Sequence, residues 1–115
     1  MEIKIIISNI PLAEVVKMAE DGYGEMVKAV ADTELGIMAI GGEWHADAEE
    51  VLLGQGSKQS ELWGFNIYPA RSPEQRIEFV SLINIRPLQN NRKMEIEDPE
   101  IREKISQIVN KLIIP

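Results

Sequence analysis

Apolar and polar positions alternate most clearly in two stretches, Glu61–Tyr68 (ELWGFNIY) and Arg76–Arg86 (RIEFVSLINIR), both rich in aromatic and β-branched residues. The connection between them, Pro69-Ala70-Arg71-Ser72-Pro73-Glu74-Gln75, is polar and rich in turn formers. This pattern predicts a β-hairpin with a long loop. Pairing Tyr68 with Arg76 sets Ile67 against Ile77, Phe65 against Phe79 and Trp63 against Ser81 on one side. The other side then carries Asn66 with Glu78, Gly64 with Val80 and Leu62 with Leu82. A slip of one residue would exchange the two faces. In this register Asn84 falls opposite Ser60. Asn66 lies six pairs away from Asn84, roughly 20 Å at the strand rise, so the two are not expected in one site.

The remaining elements follow from the same kind of reading. Glu2–Ser8 is short, β-branched and mostly apolar, as in a buried strand. Leu12, Val15, Val16 and Ala19 recur at helical spacing, predicting an amphipathic helix over Pro11–Glu20, with Pro11 in the first turn. Glu25–Asp32 and Gly36–Gly42 read as a second hairpin turned at Gly36. Asp47 with Glu50 resembles a capping box, starting a short helix over Ala48–Leu53. Gly54–Ser60 is a flexible loop by composition. Pro87 ends the last long strand because it has no ladder donor, and Leu88–Met94 is a polar loop. Asp98-Pro99-Glu100 is a helix start, followed by the apolar stripe Ile101, Ile105, Ile108, Val109 and Leu112. The order β-α-β-β-α-β-β-α predicts an α+β fold with a mostly antiparallel sheet of about five strands and three helices. The first crossover allows strands one and two to run parallel.

Length and charge narrow this further. The 115 residues suit a single domain spanning 1–115 with a real core. Cysteine is absent, which removes disulfides and thiolate metal sites. No apolar run reaches a membrane span and no leader pattern is present, so the expectation is a soluble cytoplasmic protein without a membrane partner. The net charge of −7 argues against nucleic acid. Residues 1–70 hold four lysines, no arginine and twelve acids, giving −8, while residues 71–115 are near neutral and contain all five arginines. An anion-binding surface is therefore expected in the second part.

Candidate chemistry lies in three places. Glu43, His45 and Asp47 alternate, and all three residue types ligate divalent metals. Asp47 as a helix cap would bend the chain and break that spacing, so no metal and no cofactor is assigned. His45 remains the natural general base, with Glu43 beside it. Gly41-Gly42 allows a tight turn, or close approach by a backbone or a ligand. Asn84, Arg86, Asn91 and Arg92 form the densest polar cluster, and arginine offers a planar fork for carboxylate or phosphate. With Lys58 from the preceding loop, these residues are expected to line one polar cleft. Glu43 and His45 would do its chemistry, and Lys58, Asn84, Arg86, Asn91 and Arg92 would hold a small anionic ligand. No nucleophile elbow, phosphate loop or dinucleotide fingerprint is present.

Through Gly41–Asp47 (GGEWHAD), Trp63–Pro69 (WGFNIYP) and Ser81–Pro87 (SLINIRP), the chain resembles a small prokaryotic family of unknown function along nearly its whole length. The resemblance implies one compact domain and no particular activity. The residues themselves point to a ligand-binding or protein-interaction module that self-associates as a homo-oligomer. The alternative is a hydrolase or transferase acting on an anionic substrate.

Overall fold

The computed structural model describes residues 1–115. Its main elements are β1 (Ile3–Ile6), β2 (Ile10–Pro11), α1 (Leu12–Asp21), β3 (Val27–Asp32), β4 (Ile37–Gly41), α2 (His45–Gly54), β5 (Leu62–Ile67), β6 (Ile77–Glu78), α3 (Pro99–Leu112) and β7 (Ile113–Ile114). The fold is α+β. An antiparallel five-stranded sheet, ordered β1-β4-β3-β5-β6, carries helices on both faces. No helix is long and apolar enough to cross a membrane.

Alternation within the strands builds two cores of unequal size. Ala29, Ala31, Met38, Ile40, Trp63, Phe65 and Ile67 face α1 and α3, where Val15, Ile105, Val109 and Leu112 meet them. Val30, Ala39 and Leu62 face α2 through Ala48 and Leu52. Alanines on the central strands keep the layers close. α3 starts as its sequence signals: the Asp98 side chain accepts from the Glu100 amide at 2.9 Å, and Pro99 takes the first helical position. Its stripe docks on the larger core, where each buried aliphatic side chain contributes about 1.5–3 kcal/mol.

Four expectations change. The first strand runs antiparallel to β4, from Ile3 opposite Gly41 to Ile6 opposite Met38, so it is not the parallel neighbour of the next strand. The parallel pairing in the fold is instead the small one between β2 and β7, which ties the start of α1 to the end of α3. α2 begins at His45 rather than after Asp47, with Trp44 as an extended cap residue and no side-chain cap bond. Asp47 therefore sits in the first turn, where its charge favours the positive end of the helix.

The fourth change concerns the central hairpin. Its register is as expected, with Ile67 opposite Ile77, Asn66 opposite Glu78, and the Tyr68 amide donating to the Arg76 carbonyl at 2.8 Å. Its second strand is only two residues long, however, and does not run on to Arg86. Val80 bridges to Glu95, and residues 82–84 and 87–89 form short 3-10 turns. Gly64 makes this departure sterically open, because a Cβ there would stand 2.7 Å from the Ser81 side chain. The 81–84 segment can thus lie directly over β5, an approach that a strand glycine allows.

Candidate functional site

The N-terminus of α2 sets His45 against the sheet. Ala48 and Leu52 lock the helix onto Val30, Ala39 and Leu62, and one turn earlier His45 reaches β5, with its Nε2 2.8 Å from the Phe65 carbonyl. A carbonyl only accepts, so Nε2 carries the hydrogen and the neutral ring presents a lone pair at Nδ1. The bond to Phe65 is the one the ring makes in the neutral state, and the Asn66 carboxamide stands near the ring. His45 is buried, and burial is the main cause that lowers its pKa below 6.5. The Phe65 carbonyl pulls the other way, the Lys28 charge adds to the lowering, and the Asn66 carboxamide favours the proton weakly. On balance the surroundings favour the neutral ring.

Two neighbours complete the polar set. Lys28 on β3 stands directly opposite Asn66 on β5, so their side chains share the α2 face of the sheet. Asn66 is 7% exposed, and its Nδ2 donates to Glu78 Oε1 at 2.8 Å. Its Oδ1 is buried without a partner. A buried orphan acceptor costs about 1–3 kcal/mol until a donor reaches it. The Lys28 ammonium lies 5.2 Å over the Tyr23 ring and pairs with no acid.

These three residues line one wall of a cleft of about 340 Å³. Ser81, Ile83 and Met94 line the other. Trp44 and Leu82, 61% and 69% exposed, form an apolar rim. No Asp or Glu lines the cleft.

The residues singled out from sequence are distributed differently. The Glu43 side chain is exposed, and its main-chain carbonyl accepts from the Tyr23 hydroxyl. Lys58 forms an exposed ion pair with Glu34 at 3.5 Å. Arg92 is exposed, and its amide donates to Glu97. Asn84 is fully buried and acts as a stand-in strand: its Oδ1 accepts from the Gly64 amide at 2.8 Å, and its Nδ2 donates to the Gly64 carbonyl at 2.9 Å. Asn91 organises the following loop by donating to the carbonyls of Asn84, Lys93 and Glu95. Arg86 donates to the carbonyls of Ile83, Gln59 and Leu62, meets Glu49 at 3.5 Å and stacks over Trp63 at 4.7 Å. Burial lowers its pKa and Glu49 opposes that, so the guanidinium is held as an internal cation. Of the seven, only His45 lines the cleft described above. Glu43, His45 and Asp47 do not gather, since no group of three such side chains could hold a metal ion.

Gly41 and Gly42, with φ of +104° and +86°, serve backbone approach. A Cβ on Gly41 would collide with the Glu2 carbonyl of β1. Sequence reasoning missed Lys28 and removed Asn66. Each is a polar residue inside an apolar strand, which is the available signal. Their meeting depends on the β3–β5 pairing, which skips over β4 and α2 and so leaves no local trace.

A family model described as a protein of unknown function (DUF5674) matches residues 4–112. The chain belongs to that family. No curated protein and no solved structure matches it. For this DUF5674 chain the functional reading rests on its own geometry, and the His45–Asn66–Lys28 cleft is where polar groups converge within an apolar wall.

Proposed function

We propose that this protein binds a small molecule in the cleft between the start of α2 and the 80–83 segment. The carrying observation is the buried, unpartnered Asn66 Oδ1 beside neutral His45. An apolar pocket of a few hundred Å³ with a few convergent polar groups is the usual form of a ligand site. The unpaired Lys28 ammonium supports an anionic group on the ligand. A hydrolase or transferase reading is supported less. His45 would be the base, but the donors of Arg86 are directed to main-chain carbonyls and Glu49 instead of open space. Two-dimensional NMR of the labelled protein against a fragment library tests the binding reading. Hits should move the amides of Ala46, Asn66 and Leu82 together, and hits that map only elsewhere would count against it.

Self-association is a second reading with its own observation. Leu82, Ile85 and Leu88 are 69%, 44% and 102% exposed within one short segment along the β5 edge. Such a cluster suits a contact with another copy. Sedimentation velocity at high micromolar concentration should reveal a dimer or larger species, and a monomer throughout would remove this reading.

A further inference from the structure

The cleft has a definite hydrogen-bonding polarity. Asn66 Nδ2 faces the Glu78 carboxylate, which only accepts, so the free atom is the Oδ1 acceptor. His45 Nε2 is held by the Phe65 carbonyl, so the free ring atom is also an acceptor. Ser81 Oγ accepts from the Ile83 amide at 3.3 Å and keeps its hydroxyl hydrogen to donate. The charged residue that lines the cleft is Lys28, whose ammonium lies over the Tyr23 ring at the edge of the cleft and forms no ion pair. While the ring is neutral, Asn66 Oδ1 and His45 Nδ1 are two acceptors without a donor, a protonated ring alone being able to donate to the Asn66 carboxamide, and Lys28 lacks an anion. Trp44 stands exposed at the rim, offering a flat apolar face.

We infer that the cleft takes a small, flat, anionic molecule carrying a neutral N–H, such as a cyclic amide or N–H heterocycle bearing a carboxylate. The N–H meets Asn66 Oδ1 and the lone pair of His45 Nδ1, the anionic group meets Lys28, and the ring lies against Trp44 and the apolar wall. A cationic amine is disfavoured, because it would face Lys28 with no acid to offset it. A purely apolar acid is disfavoured because it leaves Asn66 Oδ1 orphaned. This inference rests on the cleft being a ligand site and adds the class of ligand.

Four probes of similar size separate the terms: orotate (N–H and carboxylate), benzoate (carboxylate alone), uracil (N–H alone) and benzamidine (N–H with positive charge). Titrations followed by NMR at the cleft amides should rank orotate first, by about tenfold or more over each of the others. Lys28→Met, a change at a half-buried strand position, should bring orotate down to the level of uracil. Asn66→Leu should bring it down to the level of benzoate. If benzoate equals orotate in the native protein, or benzamidine exceeds it, the ligand class is wrong while the cleft remains a site. If none of the four moves the cleft amides at millimolar concentration, the ligand-site reading fails as well. The ranking on the native protein decides the matter even if Asn66→Leu does not fold.

Discussion

Asn84 illustrates how one side chain can replace a strand. Beyond Glu78 no strand covers the outer edge of β5, yet the Gly64 amide and carbonyl are both satisfied by the Asn84 carboxamide, which also donates to the Met94 carbonyl at 3.0 Å. Asn84→Ala would orphan three buried backbone groups and open a void, so an expected loss of roughly 3 kcal/mol or more follows. Urea unfolding of the two proteins measures this, and a loss below about 1 kcal/mol would refute the surrogate-strand role. His45 makes a different residue-scale prediction. Its folded pKa lies below 6.5 because burial disfavours the imidazolium. The unfolded chain then takes up the proton first as pH falls. The stability that this histidine contributes is full above about pH 6.5 and declines as pH drops through the folded pKa. Thermal melts between about pH 7.5 and 5.5 should show that decline, and His45→Gln should flatten it. The polar character of Asn84 and His45 was legible in the sequence. Their partners were not, because Gly64 and Phe65 each lie 20 positions away in the chain.

At the scale of elements, the outer edge of β5 is closed by side chains in series. Glu78 pairs with Asn66, Asn84 closes Gly64, and Arg86 closes Leu62 while holding Glu49 of α2. Arg86 thereby joins the helix to the strand edge. Arg86→Ala would leave Glu49 without its cation and three carbonyls short of a donor. An expected loss of roughly 3–5 kcal/mol follows, and Arg86→Lys should recover only part of it, since an ammonium cannot reproduce the fork. Denaturant unfolding of both variants checks this ordering. The β1–β4 contact depends equally on Gly41. Gly41→Ala combines a positive φ with a collision against β1, so its cost should exceed the roughly 1–3 kcal/mol of backbone strain alone. The hairpin register and the start of α3 were readable because turn residues and caps act locally. The short length of β6 was not, because departure at Ser81 depends on empty space over Gly64.

Across the whole molecule, the two cores differ in size. Seventeen buried residues join the sheet to α1 and α3, and six join it to α2. The smaller core gives less protection against local opening. Amide hydrogen exchange should therefore be faster in α2 than in α3 and β3, and a cleft ligand should slow exchange in α2 selectively. Uniform exchange across all three elements would contradict the two-core picture. The cleft lies on the weaker side, where a helix end, two strands adjacent in the sheet but distant in sequence, and the 80–83 segment meet.

The sequence by itself determined the α+β class, the strand alternation, the hairpin register, the amphipathic helices and the cap of α3. Each of these depends on residues within a few positions of one another. Tertiary structure alone decided which polar residues share a site. Asn84, Asn91 and Arg86 have the composition of an anion site, yet their hydrogen bonds complete the β5 edge and the loop beside it. Lys28 and Asn66 come together because β3 and β5 pair across an intervening hairpin strand and helix. Local patterns specify period and turn, while burial and long-range pairing decide which polar groups are already satisfied and which remain open to a ligand.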